Sequence, residues 1–281
     1  MTTDVAIEQK PDTGSMMTLA PLFTLGRREA RRMLLSPVYG LVMLVIVASV
    51  GLGSAVRGLR LPSATTAYEF LLFVSLLYAG LLTYMAAHLV ATSSRRTHAD
   101  RQLAASALST RTRGGALCLG VVLGPGLVAA LAVAVMAWLG ADLATPVDGA
   151  PLSIAELVQI VLMVVGGGIF GVMVATWLRF PGSMLIGLVS LVFATLFLGD
   201  PDGGGVDQAV PWFAPYSTAP SWLDAPWAAM GSQSWHAAYL GGLCALGVCA
   251  VMLRRREGRG RWLAISSLVV LATGVVGWAQ L

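Results

Sequence analysis

Residues 154–178 read IAELVQIVLMVVGGGIFGVMVATWL, twenty-five positions whose single charge, Glu156, stands near the start. A helix needs about 20 predominantly apolar residues to cross the hydrocarbon core of a bilayer. An all-round apolar helix of this length belongs in a membrane or at the centre of a large core. Six more stretches of the same kind occupy residues 38–56, 68–90, 116–139, 183–198, 235–253 and 262–281, the one at 183–198 being the shortest. Hydrophobic residues make up 57% of the chain and charged residues 11%, against about 45–50% and about 25% in soluble domains. The reading is an all-α integral membrane protein with seven transmembrane helices.

Basic residues orient the spans. Lys10, Arg27, Arg28, Arg31, Arg32, Arg95, Arg96, Arg101, Arg111, Arg113, Arg179, Arg254, Arg255, Arg256, Arg259 and Arg261 fall in the N-terminal segment and in alternate gaps, and only Arg57 and Arg60 fall in the others. Sixteen against two places the first set in the cytoplasm, because short loops rich in Lys and Arg stay inside. The N-terminus is then cytoplasmic and the C-terminus extracytoplasmic. Asp142, Asp148, Asp200, Asp202, Asp207 and Asp224 collect on the outer side. Residues 1–19, with Asp4, Glu8, Lys10, Pro11 and Asp12 near their start and no long apolar run, are read as a disordered cytoplasmic tail rather than a secretory signal. Cys118, Cys244 and Cys249 sit inside spans and read as small buried apolar residues.

Residues 22–35 project as an amphipathic helix preceding the first span. At about 100° per residue, Leu22, Phe23, Gly26, Ala30, Met33 and Leu34 share one arc, and Arg27, Arg28, Arg31 and Arg32 share the opposite one. Such a helix lies along the inner interface with its arginines toward lipid phosphates or a partner, and Pro37 ends it. The gap 91–115 is the longest cytoplasmic connection. Ala99, Leu103 and Ala107 recur there at helical spacing, and Gly114 with Gly115 is expected to end that helix or act as a hinge.

An interfacial basic helix, a cytoplasmic helix between spans two and three, and a long outer loop at 199–234 before span six together resemble the membrane subunits of ATP-binding-cassette exporters of the second type. RREARRMLLSP at 27–37 resembles the connecting helix of that family, and AASALSTRTRGGALCLG at 104–120 the end of its coupling helix and the start of the third span. APSWLDAPWAAMGSQSWHAAYLGGLCALGVCAVMLRRR at 219–256 resembles the approach to and body of the sixth span in actinobacterial members. Ala107 stands where the coupling segment often has proline, and Asp100 alone represents its acidic start. The resemblance covers residues 20–256 as a six-span permease core, leaving 257–281 as an additional seventh span.

What the resemblance implies is a multi-pass permease in a bacterial plasma membrane. It would pair with a second permease subunit, identical or homologous, above cytoplasmic ATPase subunits, with membrane lipids around it and no nucleic acid among its partners. The coupling segment 94–113 would meet the ATPase through Arg95, Arg96, Asp100, Arg101, Leu103, Leu108, Arg111 and Arg113. ATP and Mg would belong to that partner. A P-loop needs a glycine-rich turn followed by Lys, and the lone lysine, Lys10, lies in the polar tail, so no cofactor and no enzymatic activity are expected here.

Ser75, Tyr78, Thr83, Gln159 and Thr195 are candidate residues for a cargo path, with bonding between neighbouring helices as the alternative. Ionisable groups in mid-span would mark a proton pathway. Glu69, Glu156, His88 and His236 stand near span ends instead, which disfavours a proton-coupled secondary transporter. A non-transporting membrane assembly factor is the other alternative. The motifs H-E-x-x-H and G-x-S-x-G of intramembrane hydrolysis are absent. Gly120 with Gly124 and Gly167 with Gly171 are small-residue pairs suited to close helix contact. Asp200 to Asp207 lacks the glutamate of a calcium loop, Pro211 standing in its place, so no metal is expected. Trp212, Phe213, Tyr216, Trp222, Trp227 and Trp235 read as an interfacial aromatic belt on a lid-like outer loop.

Overall fold

The computed structural model describes residues 19–41, 43–44, 48, 79–93, 110–141, 154–199, 213, 232–254 and 258–280. Among them there is no strand. Helix α1 is Leu19–Leu34, and α2 begins at 37 and is helical at 37–41, 43–44 and 48. Helix α3 covers 79–93. Helix α4, Thr110–Val121, passes through a π turn, Val122–Gly126, into α5, Leu127–Ala141. The remaining helices are α6, Ile154–Trp177, α7, Ser183–Gly199, α8, Gln233–Leu253, and α9, Arg259–Ala279.

Among the described residues four helical stretches are long and apolar enough to cross a membrane: Arg111–Val135, Ile154–Trp177, Gln233–Leu253 and Arg259–Ala279. Seven were expected. The first expected span, 38–56, lies mostly outside the described residues, and α3 supplies the described part of the second. The fifth is apolar but short, a 17-residue helix of roughly 25 Å at 1.5 Å per residue. Four such helices have the make-up of a multi-pass membrane protein.

The α1–α2 corner follows from three residues. Helix α1 stops at Leu34, and Ser36 caps the next helix, its Oγ accepting from the Tyr39 amide at 3.2 Å. Pro37 then takes the first helical position, where its missing N–H costs nothing. Pro125 lies inside the α4–α5 helix, where it removes a backbone donor and clashes with the preceding turn. The π turn absorbs that insertion and keeps the two segments continuous.

Helix α6 is the centre of the packing, touching α4, the π turn, α5, α7 and α8. Its glycines bring α3 close. A Cβ at Gly167 would stand 2.5 Å from the Gly80 carbonyl oxygen, and one at Gly171 would collide with the Tyr84 carbonyl oxygen. Backbone-to-backbone approach of this kind maximises dispersion where no hydrophobic force drives helices together. The second expected pair works likewise: Gly120 and Gly124 of α4 and the π turn receive Ala30 of α1 at Cβ distances of 3.1 and 3.2 Å. Both seams form within one chain. Met33, Ala87, Cys118, Val121, Val165, Ile169, Val172 and Val251 form one cluster of the interior. Val133, Ile160, Met163, Leu191 and Leu240 form a second cluster and Tyr39, Ala79, Ala86, Ala129 and Val164 a third.

Helix α1 meets its expected pattern with one refinement. Gly26, Ala30 and Met33 are buried, and Arg27, Arg28, Arg31 and Arg32 are exposed. The buried arc rests on α4 and the π turn, so protein covers most of the face an isolated interfacial helix would turn to lipid. Phe23, on the same arc, is exposed.

Candidate functional site

Helix contacts give the molecule two chemically distinct ends. One joins the C-termini of α3, α6 and α8 to the N-termini of α4, α7 and α9. There His88 Nε2 lies 3.1 Å from Ser183 Oγ, Tyr84 donates to the Met184 carbonyl at 2.8 Å, and Trp177 Nε1 donates to the Ala250 carbonyl at 3.0 Å. The Arg254 guanidinium stacks 5.2 Å above the Trp177 ring, a cation–π contact. Arg32 bonds the Glu29 carboxylate at 2.8 and 3.1 Å, and its Nη2 donates to Ser93 Oγ at 2.6 Å, tying α1 to the end of α3. Arg111 on α4 rests against Gly258, just before α9. Arg113, Arg179, Arg259 and Arg261 lie on the same terminal turns or the residues beside them.

The other end is polar, and its described part includes Glu156 in the first turn of α6. Gln159 of α6 donates to both the backbone and side-chain carbonyls of Gln233 at 2.9 Å. His236 Nδ1 lies 3.1 Å from Gln280 Oε1, and the Ser232 amide donates to the Gln280 carbonyl at 3.0 Å. The last turn of α9 is thereby fastened to the first turn of α8. Tyr239 donates to the Phe213 carbonyl at 3.2 Å and meets that ring edge-on. Among the described residues every arginine belongs to the first end or to α1, and none to this one.

The expected coupling residues divide. Arg95, Arg96, Asp100, Arg101, Leu103 and Leu108 lie outside the described residues. Arg111 and Arg113 occupy the first turn of α4. Gly114 and Gly115 do not end a helix or form a hinge, as expected from composition; both continue α4. The reason at Gly114 is space, since a Cβ there would stand 3.1 Å from Val251 of α8. Packing against a neighbour offsets the helix-breaking tendency of glycine, about 1 kcal/mol.

Of the candidate cargo-path residues, Ser75 and Tyr78 lie outside the described residues. Thr83 is fully buried and donates to the Ala79 carbonyl at 2.6 Å; Thr195 donates to the Leu191 carbonyl at 2.9 Å. Gln159 is also fully buried. Their geometry is that of groups bonded to their own helix backbone or to an adjacent helix. Of the outer loop expected at 199–234, the described residues are Gly199, at the end of α7, Phe213, Ser232, and Gln233 and Ser234 at the start of α8. Among the described residues no cluster of metal-ligating side chains occurs. Ser183 and His88 form a nucleophile-and-base pair in composition, but both are 3% exposed, and hydrolysis needs a substrate within reach of the serine oxygen.

No match was found to any protein-family model, curated protein or solved structure.

The polar partners of this site were poorly signalled in the sequence. His88 and Ser183 are 95 positions apart, and His236 and Gln280 are 44 apart. Only their shared position at span termini could have suggested the pairings. Tyr84 was legible only as a polar position within a span, suited to a cargo path or to bonding a neighbouring helix, and Gln233 carried no signal of its own.

Proposed function

We propose that the chain is the permease subunit of an ATP-driven exporter of the second ATP-binding-cassette type. In this reading seven spans lie in a bacterial plasma membrane, with the N-terminus cytoplasmic and the C-terminus outside. Two permease subunits, identical or homologous, form the cargo path above separate ATPase subunits that bind ATP and Mg. The observation that carries the reading is the arrangement of α1: its small apolar residues lock onto α4 and the π turn while Arg27, Arg28 and Arg31 face outward. That joint would connect segment 94–113 to the membrane helices. A push on that segment would enter α4 at Arg111 and pass α1, and the π turn at Pro125 supplies a joint at which the helix can bend.

The alternatives are a secondary transporter and a membrane assembly factor. Purification in mild detergent with identification of co-purifying subunits tests all three. A stoichiometric ATPase with a P-loop is the expected outcome, and Arg101→Glu should lower its recovery. Nucleotide-independent transport by the chain alone would assign it to secondary transport. A stable complex with a non-ATPase membrane protein and no ATPase would assign it to assembly.

A further inference from the structure

The four arginines of α1 share one arc of the helix, but their contacts divide them. Arg32 turns back into the protein: its guanidinium bonds the Glu29 carboxylate at 2.8 and 3.1 Å and Ser93 Oγ of α3 at 2.6 Å. That pairing occupies Glu29, the acidic residue of α1. Arg27, Arg28 and Arg31 are exposed and form no ion pair with a described residue. They give α1 an outward face with three positive charges.

The level at which this face emerges indicates what meets it. Gly26 rests on Leu119, and Ala30 fits against Gly120 and Gly124. Arg113 is the last charge before the apolar run 114–141, and from there to Gly120 the helix advances about 10 Å at 1.5 Å per residue. Helix α1 therefore packs within that apolar run and not on its charged end, close to the depth of about 5–10 Å at which interfacial helices sit in the headgroup and acyl boundary. The exposed apolar residues agree. Leu35 lies between Arg28 and Arg31 on the helical wheel, one turn farther along, and Leu41, Met43 and Leu44 are exposed in turn on α2. Along the chain the exposed side chains pass from arginine to leucine, the order in which a bilayer passes from phosphate to acyl chain. A soluble partner would have to cover those leucines, whereas lipid tails are as apolar as they are.

We infer that Arg27, Arg28 and Arg31 form a docking surface for anionic phospholipid headgroups, with Arg32 as the strut that holds α1 to α3. Basic side chains beside an anionic leaflet attract its headgroups, and the long arginine stem lets the charged head reach them from a deeper backbone. The inference rests on the chain being a membrane protein and not on the exporter reading.

The test uses the full-length chain in neutral detergent, with phosphatidylglycerol and phosphatidylcholine as competing probes and native mass spectrometry to count retained lipid. The wild type should prefer phosphatidylglycerol. Each of Arg27→Gln, Arg28→Gln and Arg31→Gln should reduce that preference about fivefold, the equivalent of about 1 kcal/mol per basic residue at a charged surface, and the triple variant more than about tenfold. Arg28→Lys should keep it, since a lipid surface responds to charge, and salt at about 1 M should weaken it by screening. Arg32→Gln should lower the melting midpoint and leave the preference unchanged. If the triple variant does not fold, the three single variants decide. Equal preference in wild type and the outward variants would overturn the proposal, as would a loss in Arg32→Gln as large as in those variants. A fivefold gain on combining Asp4→Asn, Glu8→Gln and Asp12→Asn would show that the N-terminal segment already holds this face. Loss of a co-purifying ATPase from the triple variant, with lipid preference intact, would assign the face to a protein partner. Either result also overturns it.

Discussion

Replacing Gly171 with alanine tests the α3–α6 seam on which the arginine-rich end depends. The added Cβ would collide with the Tyr84 carbonyl oxygen and lie 3.2 Å from the Tyr84 carbonyl carbon and 3.3 Å from the His88 amide nitrogen. These are backbone atoms of a packed helix, so no side chain can swing aside. Relieving the overlap requires α3 and α6 to part by about 1 Å to restore ordinary contact. Such a shift carries Tyr84 and His88 with it. Their bonds to Met184 and Ser183, 2.8 and 3.1 Å long, would stretch beyond hydrogen-bonding range. Overpacking of this kind costs about 1–3 kcal/mol, and each weakened bond about 1 kcal/mol. The sum, about 3–5 kcal/mol, should lower the midpoint of thermal unfolding by on the order of 10 °C, read by scanning fluorimetry in detergent. Gly274→Ala is the control, because nothing lies within 4 Å of its Cβ position. Wild-type melting of Gly171→Ala, or an equal loss in Gly274→Ala, would refute the claim that this glycine sets the helix separation.

The other predictions address separate parts of the chain. Reporter fusions after Arg113 and Arg256 should be cytoplasmic and those at Asp148, Asp207 and Leu281 external; a cytoplasmic reporter at Leu281 would remove the seventh span. Gln280→Leu deprives His236 of its 3.1 Å partner and should destabilise the chain by about 1–3 kcal/mol, seen as a lower melting midpoint; an unchanged midpoint would mean the α8–α9 fastening rests on the backbone bond alone. Thr273 Oγ1 is buried with no partner, so Thr273→Val should be neutral or stabilising by up to about 1 kcal/mol. A clear loss would reveal a hidden acceptor for that hydroxyl.

The sequence was most informative where a single helix decides the outcome. The expected span 154–178 and the observed α6, Ile154–Trp177, differ by one residue, at a C-terminal boundary marked locally by the end of the apolar run and by Pro181. The expected third span began at Ala116, whereas α4 begins at Thr110. Hydropathy locates the lipid boundary and not the helix end, and a charged first turn can continue a helix into water. Gly114 and Gly115 were misread for a related reason: composition gives a glycine its local propensity, but its neighbour Val251 is 137 positions away. The amphipathic character of α1 was legible, while the surface that covers it was not. An apolar stripe specifies that something must be buried, without naming the partner.

The distribution of exposed and satisfied groups argues for a molecule fastened at its ends. Helix α9 packs chiefly on α8 and leaves Leu268, Leu271, Val275 and Trp278 exposed; α7 leaves Leu185, Val189, Phe193 and Phe197 exposed. In hydrocarbon these faces need no cover, since lipid tails are as apolar as leucine. Polar atoms have no such freedom and must find partners within the protein. The inter-helix polar bonds accordingly concentrate at helix ends, His88 with Ser183 and Arg32 with Ser93 at one, Gln159 with Gln233 and His236 with Gln280 at the other. Sliding or tilting of α7 or α9 through lipid would leave their apolar sides nearly indifferent, whereas it would break the His88–Ser183 or the His236–Gln280 bond at about 1 kcal/mol each. Any change of state in the bundle is therefore governed at its two ends, where a ligand or partner can compete for a few hydrogen bonds.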